Sequence, residues 1–361
     1  MQAKVMLKSK VKLLCDALGV LADRPLTFME VCGTHTVAIY RSGLRSLLPN
    51  NVSLVSGPGC PVCVTDQGEV DAAIRLAGRR NLIFATYGDM LRVPGTRGSL
   101  QNLRAGGADV RVVRSCDEAL KLALENPTKE VVFLGVGFET TAPSTAAVLL
   151  EAADRKIENF SILCFHKLVP PALQLLAGSK ELKVDGFILP GHVSVILGVA
   201  PYQFLPRDFN IACAIAGFES VDIMEGIVEL ARQVRYKDFK VSLLYARAVK
   251  PEGNLLAQKI IRNVFDEVDA RWRGLGEIKK SGLRLKPEFS RFDAAKKFDL
   301  RIEEVPLLPG CKCGDVLMGK ITPLECPLFG KRCNPDDPVG PCMVSSEGSC
   351  AACYKYSYKV M

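Results

Sequence analysis

Eight short apolar runs, separated by stretches long enough for a helix, restrict this 361-residue chain to layered α/β folds. LTFMEV, VSLV, LIFATY and DVRVV lie between Leu26 and Val113; VVFLGVG, FSILCF, GFILPG and IACAIAG follow from Glu130 onward. Each is rich in strand-favouring residues, and TAPSTAAVLLEAAD and LVPPALQLLAG between them read as helices. This is the rhythm of parallel sheets with crossover helices. The expected organisation is two Rossmann-like parallel α/β units, at residues 26–125 and 126–235, facing a central cleft. Residues 1–25 form a helix packed on the C-terminal module, and residues 236–361 supply a helical segment followed by that cysteine-rich module.

In open α/β sheets ligands bind beyond the carboxyl ends of strands. The chemically distinctive segments fall there: CGTHT, GPGCPVC, TYGDM, GFETT, FHK and PGHV. Cys32 and His35 share one loop, where an imidazole can activate a thiol or share a metal with it. Cys60 and Cys63 form a Cys-x-x-Cys that can close a disulfide or chelate a soft metal, and a redox pair is the better reading because zinc would need a second matching pair and the nearest candidate partners are Cys32 and His35. Asp89, Glu139, His166 and His192 complete the set. Each alone is explained by an ordinary loop role, but all three histidines of the chain lie at expected strand ends, which favours a shared polar site. GFETTAPS lacks the glycine spacing and lysine of a phosphate-binding loop.

Seven of the fourteen cysteines lie between Cys311 and Cys353, among prolines and glycines that prevent long regular elements. Irregular backbone around clustered thiols is typical of a metal-stabilised module, with zinc and iron–sulfur both open on spacing alone. Cys350 and Cys353 are the natural chelating pair by sequence. No apolar run approaches a membrane span and no export signal is recognisable, so a cytoplasmic protein with working thiols is expected. The net charge of +8 is concentrated between Arg232 and Arg301, with eighteen Lys/Arg against nine Asp/Glu. No nucleic-acid recognition signature accompanies it, which leaves a solvated face or a docking surface for an acidic protein.

EVCGTHT, GPGCPVC, TYGDM, GFETTAP, PGHV and GPCMVSSEGSC, in this order from about Thr27 to Tyr356, resemble the HypD family of [NiFe]-hydrogenase maturation factors. The resemblance implies that Cys311, Cys326, Cys333 and Cys350 ligate a [4Fe–4S] cluster, which displaces the pairing of Cys350 with Cys353. Cys313, Cys342 and Cys353 are left as thiol partners or core residues. It further implies a scaffold that, with HypC, holds iron while the Fe(CN)2CO moiety is assembled, cyanide arriving from HypE. Cys32 matches the iron-binding cysteine, Cys60 and Cys63 the redox pair, and His35, Asp89 and His192 the polar residues around them. Electrons are expected to pass from the cluster through Cys60/Cys63 toward iron at Cys32. The competing readings are a thiol–disulfide oxidoreductase fed by the cluster and a binding module with structural zinc.

Overall fold

The computed structural model describes residues 2–357; Met1 and residues 358–361, counted above with the two outer segments, lie outside the described residues. All eight apolar runs are strands: β1 (Leu26–Glu30), β2 (Val52–Ser56), β3 (Leu82–Thr86), β4 (Val110–Val112), β5 (Glu130–Gly137), β6 (Phe160–His166), β7 (Gly186–Leu189) and β8 (Ala212–Ile215). The helices Ala142–Asp154 and Val169–Ala177 also form where the sequence places them. β3 and β7 are buried along their whole length, as parallel strands covered on both faces must be.

The strands pair differently from the expected division at residue 125. One parallel sheet has the order β2-β1-β7-β8-β9, with β9 spanning Val241–Leu243; the other has the order β4-β3-β5-β6. The chain thus leaves the first sheet after β2, builds the whole second sheet, and returns at β7, where Met29 is in register with Phe187. The second sheet is thus one contiguous segment, Leu82–His166, inserted into the first, which is split around it. A third element, the antiparallel hairpin β10 (Phe265–Trp272) and β11 (Gly276–Leu285), replaces the continued helix expected there. The helix Leu255–Val264 ends where β10 begins.

The inner faces of both sheets contribute to one apolar core, with Phe187 and Ile215 from the first sheet and Phe84, Leu134 and Phe165 from the second. The tail cysteines Cys313, Cys333, Cys342 and Cys350 belong to the same core, so the tail is built into the body of the protein. Outer faces are covered separately. Helices Cys116–Glu125 and Ala142–Asp154, with the hairpin, bury Val131, Phe133 and Ile162. The helix Ser220–Tyr236 and the N-terminal helix Gln2–Leu21 cover Phe28, Leu54 and Ala214. The N-terminal helix packs along Ser220–Tyr236, where Leu18 meets a face of Ile223, Ile227 and Leu230, and not chiefly on the tail as expected. Each such fully buried side chain contributes about 1.5–3 kcal/mol.

Candidate functional site

The strand orders define a switch point in each sheet, where crossovers diverge and neighbouring loops part. In the first sheet it lies between β1 and β7, whose carboxyl ends lead into Cys32–His35 and Pro190–His192. In the second it lies between β3 and β5, leading into Tyr87–Asp89 and Phe138–Glu139. Parallel pairing of β1 with β2 also sets the two cysteine loops side by side: Gly33 N donates to Gly59 O at 2.9 Å. A Cβ at Gly59 would stand 2.2 Å from Cys32 N, so only glycine permits this approach.

Cys32 precedes the helix Gly33–Ser42 and is 6% exposed. Burial, and then the nearby Glu347 carboxylate, push its thiol up to about 12. His35 is fully buried, and burial holds it down at about 4. Its Nε2 lies 2.9 Å from Gly217 O, and a carbonyl only accepts, so Nε2 carries the proton and Nδ1 keeps its lone pair. That Nδ1 has no hydrogen-bond partner. Phe218 sits between the two imidazoles, 4.7 Å from the His35 ring and 4.1 Å from that of His192. His192 is exposed and lowered, first by desolvation, with Glu347 opposing.

The tail closes onto this group through the turn at residues 345–348. Thr34 Oγ1 donates to Glu347 Oε1 at 2.7 Å. Asp89 Oδ2 accepts from Ser345 Oγ at 3.0 Å and from Ser346 N and Oγ at 2.9 Å each. The Cys60 thiol donates to Ser345 Oγ at 3.3 Å. Asp89 is therefore the clamp on the tail turn that also orders Cys60. Glu347, in the SSEG segment, was not singled out in the sequence; its motif was visible, but its contact with Thr34 was not.

Behind Cys60 the buried thiols form a ladder. Cys63 N donates to Cys60 Sγ at 3.2 Å, Cys63 and Cys313 both hydrogen-bond to Cys342, and Cys311 Sγ stands 3.1 Å from Cys313 Sγ. Two thiols donating to Cys342 lower its pKa, while burial raises Cys63 well above the usual thiol value. The helix after Cys60 is a single turn, Pro61–Val64, and does not offset that burial. Cys342 and Cys313, left open by the sequence, are the middle of the ladder; Cys353 instead pairs with Tyr40.

Cys311, Cys333 and Cys350 sense one another's charge, and Cys333 also senses Cys326. Gly340 leaves room for them, since a Cβ there would lie 2.5 Å from Cys313 Sγ and 2.7 Å from Cys311 Sγ. Among the described residues no three His, Cys, Asp or Glu side chains are drawn tightly enough together to hold a metal ion. The donor chemistry nevertheless suits a soft metal: buried thiols disfavour the thiolate by themselves, and a bound cation reverses that.

Glu139 and His166 stand apart from this group. Glu139 accepts from Val169 N through Oε1, keeps Oε2 unpartnered, and is pushed up to about 8 by burial. It lines a cavity of about 600 Å3 with Leu168, Pro170, Arg262 and Lys280. His166 faces the hairpin, its Nδ1 3.5 Å from Cys164 Sγ, in a cavity of about 290 Å3 lined also by Lys167 and Glu69. The three histidines therefore do not share one site.

The HypD family model, described as the hydrogenase formation hypA family, matches residues 9–357. The chain is 48% identical to the hydrogenase maturation factor HypD of Escherichia coli over 94% of this chain and 91% of that protein. Identity to the protein of the same name from Cupriavidus necator is 47%, over 91% and 89% respectively. For that of Rhodobacter capsulatus it is 42%, over 97% and 94%.

Proposed function

This chain belongs to the HypD family of hydrogenase maturation factors, and from that premise we propose that it is the scaffold on which iron is held and dressed with its diatomic ligands during [NiFe]-hydrogenase assembly. The observation that carries this reading is the meeting of the Cys32 loop with the tail: Thr34 bonded to Glu347, and Asp89 and Cys60 both on Ser345. A soft thiolate at Cys32, three residues before His35 with its bare Nδ1, suits low-spin iron carrying cyanide and carbon monoxide. That iron is cargo, shared with a thiolate of HypC, and HypE supplies the cyanide. His192 is the exposed member of the group, at the side from which such partners reach it.

Cys311, Cys326, Cys333 and Cys350 would hold the resident [4Fe–4S] cluster, which when bound supplies one-electron capacity. The ladder from Cys311 through Cys313, Cys342 and Cys63 to Cys60 links that tail to the Cys32 loop. Closing one disulfide within it releases two electrons and two protons, matching single-electron exchange on one side to a dithiol on the other. Burial shields Cys60, Cys63, Cys313 and Cys342 from solvent oxidants. All fourteen cysteines are free. No helix among the described residues is long and apolar enough to cross a membrane.

The test is infrared spectroscopy of the complex purified anaerobically with HypC. The expected result is that wild type shows the stretching bands of iron-bound cyanide and carbon monoxide and that Cys32→Ser loses them while still binding HypC. Bands that persist unchanged in Cys32→Ser overturn the assignment. The thiol ladder also fits a thiol–disulfide oxidoreductase; reduction of small disulfides at catalytic rates by iron-free protein would favour that reading.

A further inference from the structure

Arg273 is the largest charged side chain in the core, and it is 1% exposed. It follows β10 directly, where Arg273 N donates to Val64 O at 2.9 Å and Trp272 pairs with Thr65 in an isolated bridge. The side chain is fixed at both ends of its fork: Nε donates to Thr65 O at 3.0 Å and Nη2 to Gln67 Oε1 at 2.6 Å. Both acceptors are neutral. The guanidinium is thus hydrogen-bonded but its charge is not answered by either group, and burying an unanswered charge costs several kcal/mol.

The next residue packs on the tail. Gly274 has φ +78 and packs so closely on the tail that a Cβ would stand 2.2 Å from the Cα of Gly314, the neighbour of Cys313. This glycine contact brings the hairpin turn against the Cys311–Gly314 segment, while the bonds to Thr65 and Gln67 hold the same guanidinium behind the Cys60–Cys63 loop.

We propose that Arg273 is the buried counter-charge of the tail's thiolate site, an electrostatic positioning residue that favours the more negative, reduced state of what Cys311 and its companions hold. This rests on the iron–sulfur reading of the tail. A fixed cation in a low-dielectric interior stabilises added negative charge without reorganising, and arginine keeps its proton under all physiological conditions. Removing the charge therefore makes reduction harder. Substituting lysine keeps the charge and loses the two-point fork.

The experiment compares full-length wild type, Arg273→Lys and Arg273→Met, purified anaerobically. Iron and sulfide content and a reductive titration followed by electron paramagnetic resonance are read on each. The expected result is similar iron loading in all three, with the reduction equilibrium of Arg273→Met displaced roughly tenfold or more toward the oxidised form, and Arg273→Lys near wild type. Loss of iron from Arg273→Met alone, with Arg273→Lys loaded, supports the same charge requirement. Equal potentials in all loaded proteins, or equal loss of iron from both variants in a folded protein, overturn the proposal. Wild type free of iron and sulfide overturns the iron–sulfur reading itself, and the proposal with it.

Discussion

Thr34 and Glu347 are hydrogen-bonded at 2.7 Å although 313 residues separate them, and this bond joins the first cysteine loop to the last turn before the C-terminal helix. Glu347 packs so tightly that a Cβ at Gly33 would meet its own Cβ at 2.5 Å. Gly33→Ala should therefore push the turn off the loop. The expected outcome is a folded protein that loses protection from hydrogen exchange at residues 345–348 and no longer retains iron at Cys32. Unchanged exchange there would show that the contact is not needed.

Asp89 receives three donors on one oxygen, so Asp89→Ala strands the backbone N–H and two hydroxyls of the tail turn. A loss of about 2–3 kcal/mol is expected, seen by denaturant titration, with cleavage by protease concentrated at the turn. Asp89→Asn keeps an acceptor and should lose less.

Gly340 lies against the Cys311–Cys313 pair, and the methyl of Gly340→Ala enters the space of both sulfurs. Iron and sulfide content should fall several-fold while circular dichroism of the α/β body is retained. Full loading in this variant would place the cluster elsewhere in the tail.

Glu139 has a folded pKa of about 8 against an ordinary 4.5, so the native state holds the proton more tightly than the unfolded chain. The stability this provides is complete below pH 4.5 and is lost as pH rises toward 8. Glu139→Gln preserves the acceptor for Val169 N and does not titrate. Its stability relative to wild type should climb between about pH 4.5 and 8 and level off above, by at most about 5 kcal/mol. A pH-independent difference would mean that Glu139 is solvated.

The eight parallel strands were readable because a strand buried on both faces announces itself as a continuous apolar run. Their pairing was not readable: nothing local in VSLV or LIFATY says that the chain changes sheets between them. β10 escaped for a different reason. Its residues alternate between inner and outer positions, but Asp266, Glu267 and Asp269 follow without a break from an amphipathic helix. The motif residues Cys32, His35, Cys60, Asp89 and His192 were visible from chemistry at strand ends. Glu347 and Arg273 act through partners some 200 to 300 residues away, and only the folded chain brings those together. His166 misled because a strand end fixes the loop and not the face of the sheet on which the side chain emerges.

Whether the tail holds an iron–sulfur cluster is decided by metal and sulfide analysis with visible absorption on anaerobically purified wild type and Cys326→Ala. A brown protein with about four iron and four sulfide per chain is expected, with their loss in the variant. A colourless wild type carrying zinc would contradict this, leaving a docking scaffold without electron transfer.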